Sequence, residues 1–477
     1  MLEPGQLDRL SSTDASFLAQ EVSGSHMHIG GVMVFEGPPP GGEEFADHIS
    51  SRLHLVPRYL QKLVFPRFQM GRPLWIGDPS FNIEYHVRHT ALPPPGGFEE
   101  LRMLTARIFS QRLDRSKPLW EMWLAQGLDD DRFAVISKIH HCLVDGASGV
   151  DLTAVLFDLD RESSPQATPP SAPPRAPEPS EADIIAKGAR DLIAVPLSLA
   201  GRVAGAARAP QATLERGREV AEGLGEVTRG IIGGTPKTPL NVPIGTHRRV
   251  HWVRTGLDEL KSVKNALGGT VNDVFLAVVT GALARWLSTR GVRTEGLELR
   301  GCVPVSTRAP DEQGQFGNRI TMMMSPLPVY IDDPVERLRA VSEAMRGLKE
   351  SKQALGAEVI AGLQEFTPPT VFARASRLNF SSRVYNLLVT NVPGPQFPLY
   401  LLGRELETLV PIPFLAPQNA LAVAIMSYNG GVAVGLMGDY DAFPELAAFG
   451  GYVAESIEEL SEAAGVTSGR NATGAAG

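Results

Sequence analysis

Cysteine is nearly absent from this 477-residue chain, which has only Cys142 and Cys302. A disulfide framework is thereby excluded, and a reducing compartment fits. Basic character is also scarce: 45 Lys and Arg stand against 53 Asp and Glu, giving a net charge of −8 and a pI of about 5.8. With no long Lys/Arg run to offset that balance, a dedicated nucleic-acid binder is disfavoured. No uncharged apolar run approaches the roughly 20 residues of a membrane span. The start, Met1-Leu2-Glu3-Pro4-Gly5-Gln6, has neither a basic region nor an apolar core, so no secretory leader is expected. A glycine-rich phosphate loop of the P-loop kind is missing too. What the chain does have is 43% hydrophobic residues, enough for two or three packed cores in a soluble or peripherally attached protein.

One stretch organises the rest: Lys138-Ile139-His140-His141-Cys142-Leu143-Val144-Asp145-Gly146-Ala147-Ser148-Gly149. The apolar run Phe133–Ile139 leading into it reads as a buried strand, and Val150, Ala154 and Phe157 behind it recur at helical steps. Two adjacent histidines therefore stand at a strand end, on a turn into a helix. Gly146 lets the backbone turn closely, and Asp145 stands where a helix cap is expected. An imidazole titrates near neutral pH, so it can take up a proton and return it within one turnover. Side chains of consecutive extended residues face opposite ways, so one histidine is expected to be catalytic and the other supportive. Asp145 can hold this geometry by pairing with an arginine, and Arg308 is the candidate. Three other readings stay open on spacing alone: a metal site of His140, His141 and Asp145; a Cys142 nucleophile beside His141; and a purely structural turn.

Around this stretch strands and helices alternate in both halves, which predicts layered α/β architecture. Phe45, Ile49 and Leu53 predict a helix that stops before Pro57, and Leu101, Leu104 and Ile108 another. Strands are expected near 122–128 and 132–140. His26 and His28 precede a strand, Ile29–Phe35, and read as ordinary polar groups. Residues 161–182 are rich in proline and cannot bury enough apolar surface to order themselves, so they read as a linker. Residues 183–235 are helical in flavour, and fit either a crossover helix or an interfacial helix on a membrane surface. The second half restarts near residue 241. Thr270 or Asn272 can cap a strong helix there, and Asp273 suits the positive end of its dipole. Asp333-Pro334 starts a further helix, and Asn429-Gly430 marks a hairpin between two apolar runs. The expected organisation is an N-terminal domain over 1–160, a linker with crossover helices over 161–240, a C-terminal domain over 241–463 and a disordered tail over 464–477.

His140-His141-Cys142-Leu143-Val144-Asp145-Gly146 matches the HHxxxDG motif of CoA-dependent acyltransferases and peptide-synthetase condensation domains. Further stretches narrow the likeness: Leu10-Ser11-Ser12-Thr13-Asp14, Pro118-Leu119-Trp120-Glu121, Leu240-Asn241, Asn272-Asp273-Val274, Pro304-Val305-Ser306 with Arg308, and Asn391-Val392-Pro393-Gly394-Pro395. In that order they resemble bacterial wax ester synthase/diacylglycerol acyltransferases, from about residue 8 to 460. The resemblance implies two chloramphenicol-acetyltransferase-like sandwich domains with the active-site tunnel at their interface. It implies acyl transfer from acyl-CoA, a co-substrate and not a bound cofactor, to diacylglycerol or a long-chain alcohol. It makes His141 the general base, with His140 and Asp145 of the same motif in the catalytic set. Asn272, at a helix start, is the candidate oxyanion donor, with Gly146, Asp273 and Arg308 supporting the site. No metal is expected. With no phosphate loop, CoA is expected to rest on scattered basic side chains and backbone groups, Arg248-Arg249 being the candidate. The Met322-Met323-Met324 run reads either as ordinary core or as a tunnel wall, and Trp120 reads as a packing anchor. A cytoplasmic location, with peripheral contact to the inner membrane or lipid droplets, is the accompanying expectation. Two alternatives remain: the same fold acylating an amine or a polyketide diol, and a lipid-binding protein that has lost catalysis.

Overall fold

The computed structural model describes residues 8–66, 72–143, 157–162, 234–306, 320–350 and 383–466. Asp145, Gly146, Arg308, the proline-rich stretch, the 183–233 segment and the residues beyond 466 lie outside the described residues.

In chain order the strands are β1 (Asp8–Arg9), β2 (His28–Phe35), β3 (Gln61–Val64), β4 (Leu74–Gly77), β5 (Val87–Ala91), β6 (Trp120–Gln126) and β7 (Phe133–His140). The second half supplies β8 (Arg248–Gly256), β9 (Glu298–Ser306), β10 (Ile320–Pro328), β11 (Leu387–Pro393), β12 (Tyr400–Leu401), β13 (Arg404–Ile412), β14 (Leu421–Tyr428) and β15 (Gly431–Asp439). Two six-stranded mixed sheets dominate, with orders β12-β13-β2-β7-β6-β5 and β10-β9-β11-β14-β15-β8, beside a small sheet β1-β4-β3. The α/β layering and the two sheet-rich halves are as the sequence predicts.

The first large sheet is not built from the first half alone. β13 pairs antiparallel with β2, so residues 400–412 of the second half complete the sheet of the first. The expected C-terminal domain, 241–463, thus lends a hairpin across the boundary. Helix Phe98–Ser110 of the first half packs in return on β8, the edge strand of the second sheet, where an exposed ladder would otherwise invite pairing.

β7 lies inside its sheet, between β2 and β6, and all eight of its residues are buried. Its near-continuous apolar sequence follows from cover on both faces. One hydrophobic cluster runs between the halves, joining Val32, Phe133 and Ile136 to Tyr385, Leu388 and Met437. A second lies between the second sheet and helices Val271–Thr289, Pro334–Glu350 and Leu446–Ala463. Helix Val271–Thr289 is long and apolar enough to cross a membrane, yet most of it is buried in that cluster, so packing accounts for its composition. Within β10, Met323 joins the second cluster while its neighbours Met322 and Met324 pack against the first, as strand alternation requires. Trp120 is fully buried, its indole N–H donating to the Tyr59 carbonyl at 2.8 Å, which is the packing role expected of it.

Candidate active site

His140 ends β7 and His141 opens a short 3-10 turn, His141–Leu143. Three main-chain and side-chain anchors hold that junction. The His140 N–H donates to the Leu119 carbonyl at 3.0 Å, and the His141 N–H to the Met27 carbonyl at 2.9 Å. Met27 is fully buried with φ +51°, a left-handed conformation costly for a side chain of this kind, held at the carbonyl that receives His141. The third anchor is Lys138. It is fully buried, and its ammonium donates to the carbonyls of Ile108 (3.0 Å) and Gln111 (3.1 Å) at the end of helix Phe98–Ser110, with Glu121 at 3.4 Å. A lysine there satisfies orphan helix carbonyls and complements the helix dipole, tying β7 to the helix beside it.

The two imidazoles have different surroundings. The His141 ring is stacked on Phe17, centroids 3.8 Å apart at 17°, and meets the edge of Phe414 at 5.6 Å. Phe17 belongs to the first half and Phe414 follows β13, so both halves close on this ring. His141 is partly exposed as a residue, while its Nδ1 is buried without a hydrogen-bond partner. Burial pushes its imidazole down to about 4; neighbouring His140 adds to this and the main chain of His141 opposes it. It is neutral at pH 7.

His140 is buried. Its Nδ1 accepts the Cys142 N–H at 3.1 Å and its Nε2 lies 3.7 Å from a Glu21 carboxylate oxygen. Glu21 is ion-paired to Arg115, whose Nε donates at 2.8 Å, with Arg112 at 3.9 Å and His28 at 4.0 Å. Burial raises the Glu21 carboxyl, but His140 and Arg115 outweigh it and leave it lowered, so it is charged. Burial lowers His140 and His28 despite that carboxylate, so they are neutral. His28 is the cross-strand partner of His140, their ring centroids 5.8 Å apart, and His26 lies 5.5 Å from His28. The histidines read from sequence as ordinary polar groups therefore form a buried row behind the junction.

The Leu10–Asp14 stretch explains how this is assembled. Ser11 caps helix Ser12–Gln20, accepting the Asp14 N–H at 3.0 Å. That helix carries Phe17 to His141, and the chain leaving it places Glu21 beside His140. Sequence reasoning missed Phe17, Glu21, Met27 and Phe414. The only early signal was the serine three residues before an aspartate.

Cys142 is buried, and burial raises its thiol well above the ordinary value, so no thiolate is available for the nucleophile reading. Asn272 stands at the second position of helix Val271–Thr289 and is not its cap. Thr270 is, accepting the Asp273 N–H at 3.2 Å while Asp273 accepts the Thr270 N–H at 2.8 Å. The Asn272 side-chain oxygen accepts from Asn391 on β11 at 3.3 Å. Among the described residues no hydrogen bond joins Asn272 to His140 or His141. A groove of about 680 Å³ opens between the halves, lined by helix Phe98–Ser110, β8 and the chain near Tyr440, and neither His141 nor Asn272 lines it.

Family models add the deciding observation. One described as the wax ester synthase/diacylglycerol acyltransferase catalytic domain matches residues 10–275, and one described as the WS/DGAT C-terminal domain matches 316–461. The chain belongs to the wax ester synthase/diacylglycerol acyltransferase family. It is 31% identical over 467 residues, 95% of each chain, to a probable diacylglycerol O-acyltransferase of Mycobacterium tuberculosis, tgs1. A putative diacylglycerol O-acyltransferase of the same species is 32% identical over 474 residues, 97% of this chain and 92% of that one. The solved wax ester synthase/diacylglycerol acyltransferase from Marinobacter aquaeolei VT8 superposes with a TM-score of 0.67 at 26% identity, covering 96% of this chain and all of that one. The first condensation domain of the CDA synthetase shares the fold, with a TM-score of 0.60 at 17% identity over 97% of this chain and 98% of that one. This member of the family is accordingly an acyltransferase with acyl-CoA as co-substrate, acting in triacylglycerol or wax ester synthesis.

Proposed function

We propose that His141 is the general base of this acyl transfer, with diacylglycerol or a long-chain alcohol as acceptor. The observation that carries the reading is the setting of its ring: neutral, partly exposed, its Nδ1 buried, and clamped between Phe17 and Phe414 from the two halves.

An alcohol ionises far above the pH at which His141 is neutral, so its proton must leave as its oxygen attacks. The imidazole takes the hydroxyl proton while the oxygen bonds to the thioester carbonyl carbon. The resulting oxyanion needs a fixed donor, and the Asn272 amide, near the positive end of its helix, is the candidate. Its oxygen is engaged by Asn391, leaving its N–H groups free of partners among the described residues. Collapse breaks the carbon–sulfur bond, and the imidazolium returns its proton to the departing thiolate. His140 is held on Glu21 and Cys142 and so acts by positioning. Asp145 keeps its place in the proposed catalytic set and Gly146 its supporting role on the strength of the HHxxxDG motif, and Arg308 stays the candidate partner of Asp145. Because the acceptors are apolar, the enzyme works at the cytoplasmic face of a membrane or on a lipid droplet, where those acceptors collect.

The test is CoA release from palmitoyl-CoA in detergent, with and without diacylglycerol or hexadecanol. Release should depend on the alcohol, and His141→Ala should lower kcat by about 10²–10⁴-fold, the usual worth of a general base, with the fold intact by circular dichroism. Full activity in that variant removes the assignment. An amine or polyketide diol as sole acceptor redirects it.

A further inference from the structure

The groove of about 680 Å³ between helix Phe98–Ser110 and β8 has no part in the chemistry above. Its size is that of an ordinary small-molecule site. Its charge runs against that of the chain, which is −8 overall: its walls carry Arg102, Arg107, Arg248 and Arg249 against the single carboxylate of Glu99.

Two of the four arginines are committed elsewhere. Arg248 is buried, lies 3.7 Å from Asp439 and donates to the Gly245 carbonyl at 2.8 Å. Arg102 lies 3.6 Å from Glu99 and over the Trp252 ring at 4.8 Å. The other two carry charge with no carboxylate against it among the described residues. Arg107 is exposed on the helix, and no described side chain pairs with it. Arg249 lies 4.0 Å above the ring of Tyr440, donating through Nε to the Tyr440 carbonyl at 2.9 Å. That contact fixes the guanidinium and leaves its outer N–H groups unspent. One free guanidinium thus comes from each half, and both line one concave space. Guanidinium forks match phosphate oxygens, and a cleft of one sign concentrates a ligand of the other.

We propose that this groove binds the phosphate groups of a ligand, with Arg107 and Arg249 as the contacts. On the acyl-transfer reading, on which the identity of the ligand rests, those phosphates belong to the nucleotide end of acyl-CoA. An anionic phospholipid headgroup offers the same chemistry from another source.

Calorimetry with CoA and with adenosine bisphosphate, and sedimentation with vesicles of equal parts phosphatidylcholine and phosphatidylglycerol, separate the two. The proteins are wild type, Arg107→Glu, Arg249→Glu and Arg107→Lys, each with its thermal unfolding recorded, and Arg107→Gln as the milder change. The expected result is CoA and adenosine bisphosphate binding weakened about tenfold or more by each Glu variant, one charge-assisted contact being worth that much, and largely kept by Arg107→Lys. KM for acyl-CoA should rise with kcat unchanged, while KM for an acyl-pantetheine thioester, which lacks the nucleotide, should not move. Loss of vesicle binding alone keeps the phosphate site and assigns it to lipid. Unchanged affinity for CoA, adenosine bisphosphate and vesicles in both Glu variants overturns the proposal, as does a wild type that binds none of them. If no alcohol is acylated and yet Arg107→Glu loses CoA, the acyl-transfer reading has failed and the site stands.

Discussion

At the scale of single residues, the candidate site sets neutral imidazoles beside the ion pair of Glu21 with Arg115. His26 is pushed down to about 4 by burial and by Arg248 and Arg112, and burial lowers His28 and His140 as well. Between about pH 6.5, the ordinary histidine value, and about 4, the unfolded chain therefore binds protons that the folded rings refuse. Stability must rise with pH across that window, and fall as pH is lowered through it. Thermal unfolding recorded from about pH 7 to 5 should show Tm dropping steeply; a flat profile would mean the rings protonate in the folded state. With His141 as the proposed base, the same enclosure places the acid limb of kcat/KM well below the ordinary histidine value, towards 4. An inflection at 6.5 or above would show that its ring is solvated like a free imidazole. Glu21 offers a third test. Glu21→Gln keeps the shape but removes the charge facing His140, Arg112 and Arg115. Because both arginines are partly exposed, the cost in stability should be about 1–2 kcal/mol, below the 3–5 kcal/mol of a fully buried pair. kcat should fall with KM for acyl-CoA held, and equal losses of Tm and rate across pH would reduce Glu21 to a structural role. The adjacent histidines were legible in the sequence because they break an apolar strand at its end. Glu21 and Phe17 were not, since nothing in their local pattern says which ring each will touch more than a hundred residues away.

At the scale of elements, local chemistry was the readable part. The four-residue steps of Phe45 and Ile49 became helix Gly42–Arg52, and Asp333-Pro334 opened helix Pro334–Glu350, Asp333 accepting the Glu336 N–H at 2.8 Å. Asn429-Gly430 joined β14 to β15, with φ of 43° and 78° as such a turn demands. Helix Val271–Thr289 shows where the reading needed one more step. Thr270 and Asn272 were equal candidates for the cap, and the reciprocal pair of Thr270 with Asp273 decides between them. A threonine three residues before an aspartate is that pattern, and its effect is to free Asn272 from capping so that its side chain reaches Asn391. Thr270→Ala should therefore cost about 1 kcal/mol and disturb Asn272, lowering kcat. Asn272→Ala should lower kcat with little change in Tm. If Asn272→Ala instead loses stability and keeps its rate, the oxyanion assignment is wrong and Asn272 serves only to hold β11.

At the scale of the whole molecule, the two halves are held close where side chains are missing. A Cβ on Gly24 would sit 2.3 Å from the Ile244 carbonyl oxygen, and one on Gly435 would sit 1.7 Å from that of Pro411. Gly435 belongs to β15 of the second sheet, and Pro411 to β13, the strand lent to the first. This crossing was illegible beforehand: β13 and β2 lie several hundred residues apart, and their register is set by burial between the sheets, not by any neighbouring turn. It bears on the proposed base because Phe414, three residues past Pro411, lies against His141. Gly435→Ala must push β13 away from β15, and overpacking of this kind costs about 1–3 kcal/mol. The shift passes to Phe414, so activity should fall further than stability alone explains, measured as kcat well below Tm. Gly431→Ala is the control, since its Cβ would meet the Tyr428 carbonyl at an ordinary 3.4 Å at the exposed end of the same strand. Equal Tm and equal kcat in the two variants would show that the lent hairpin tolerates displacement, and that the clamp on His141 does not depend on the fit between the halves.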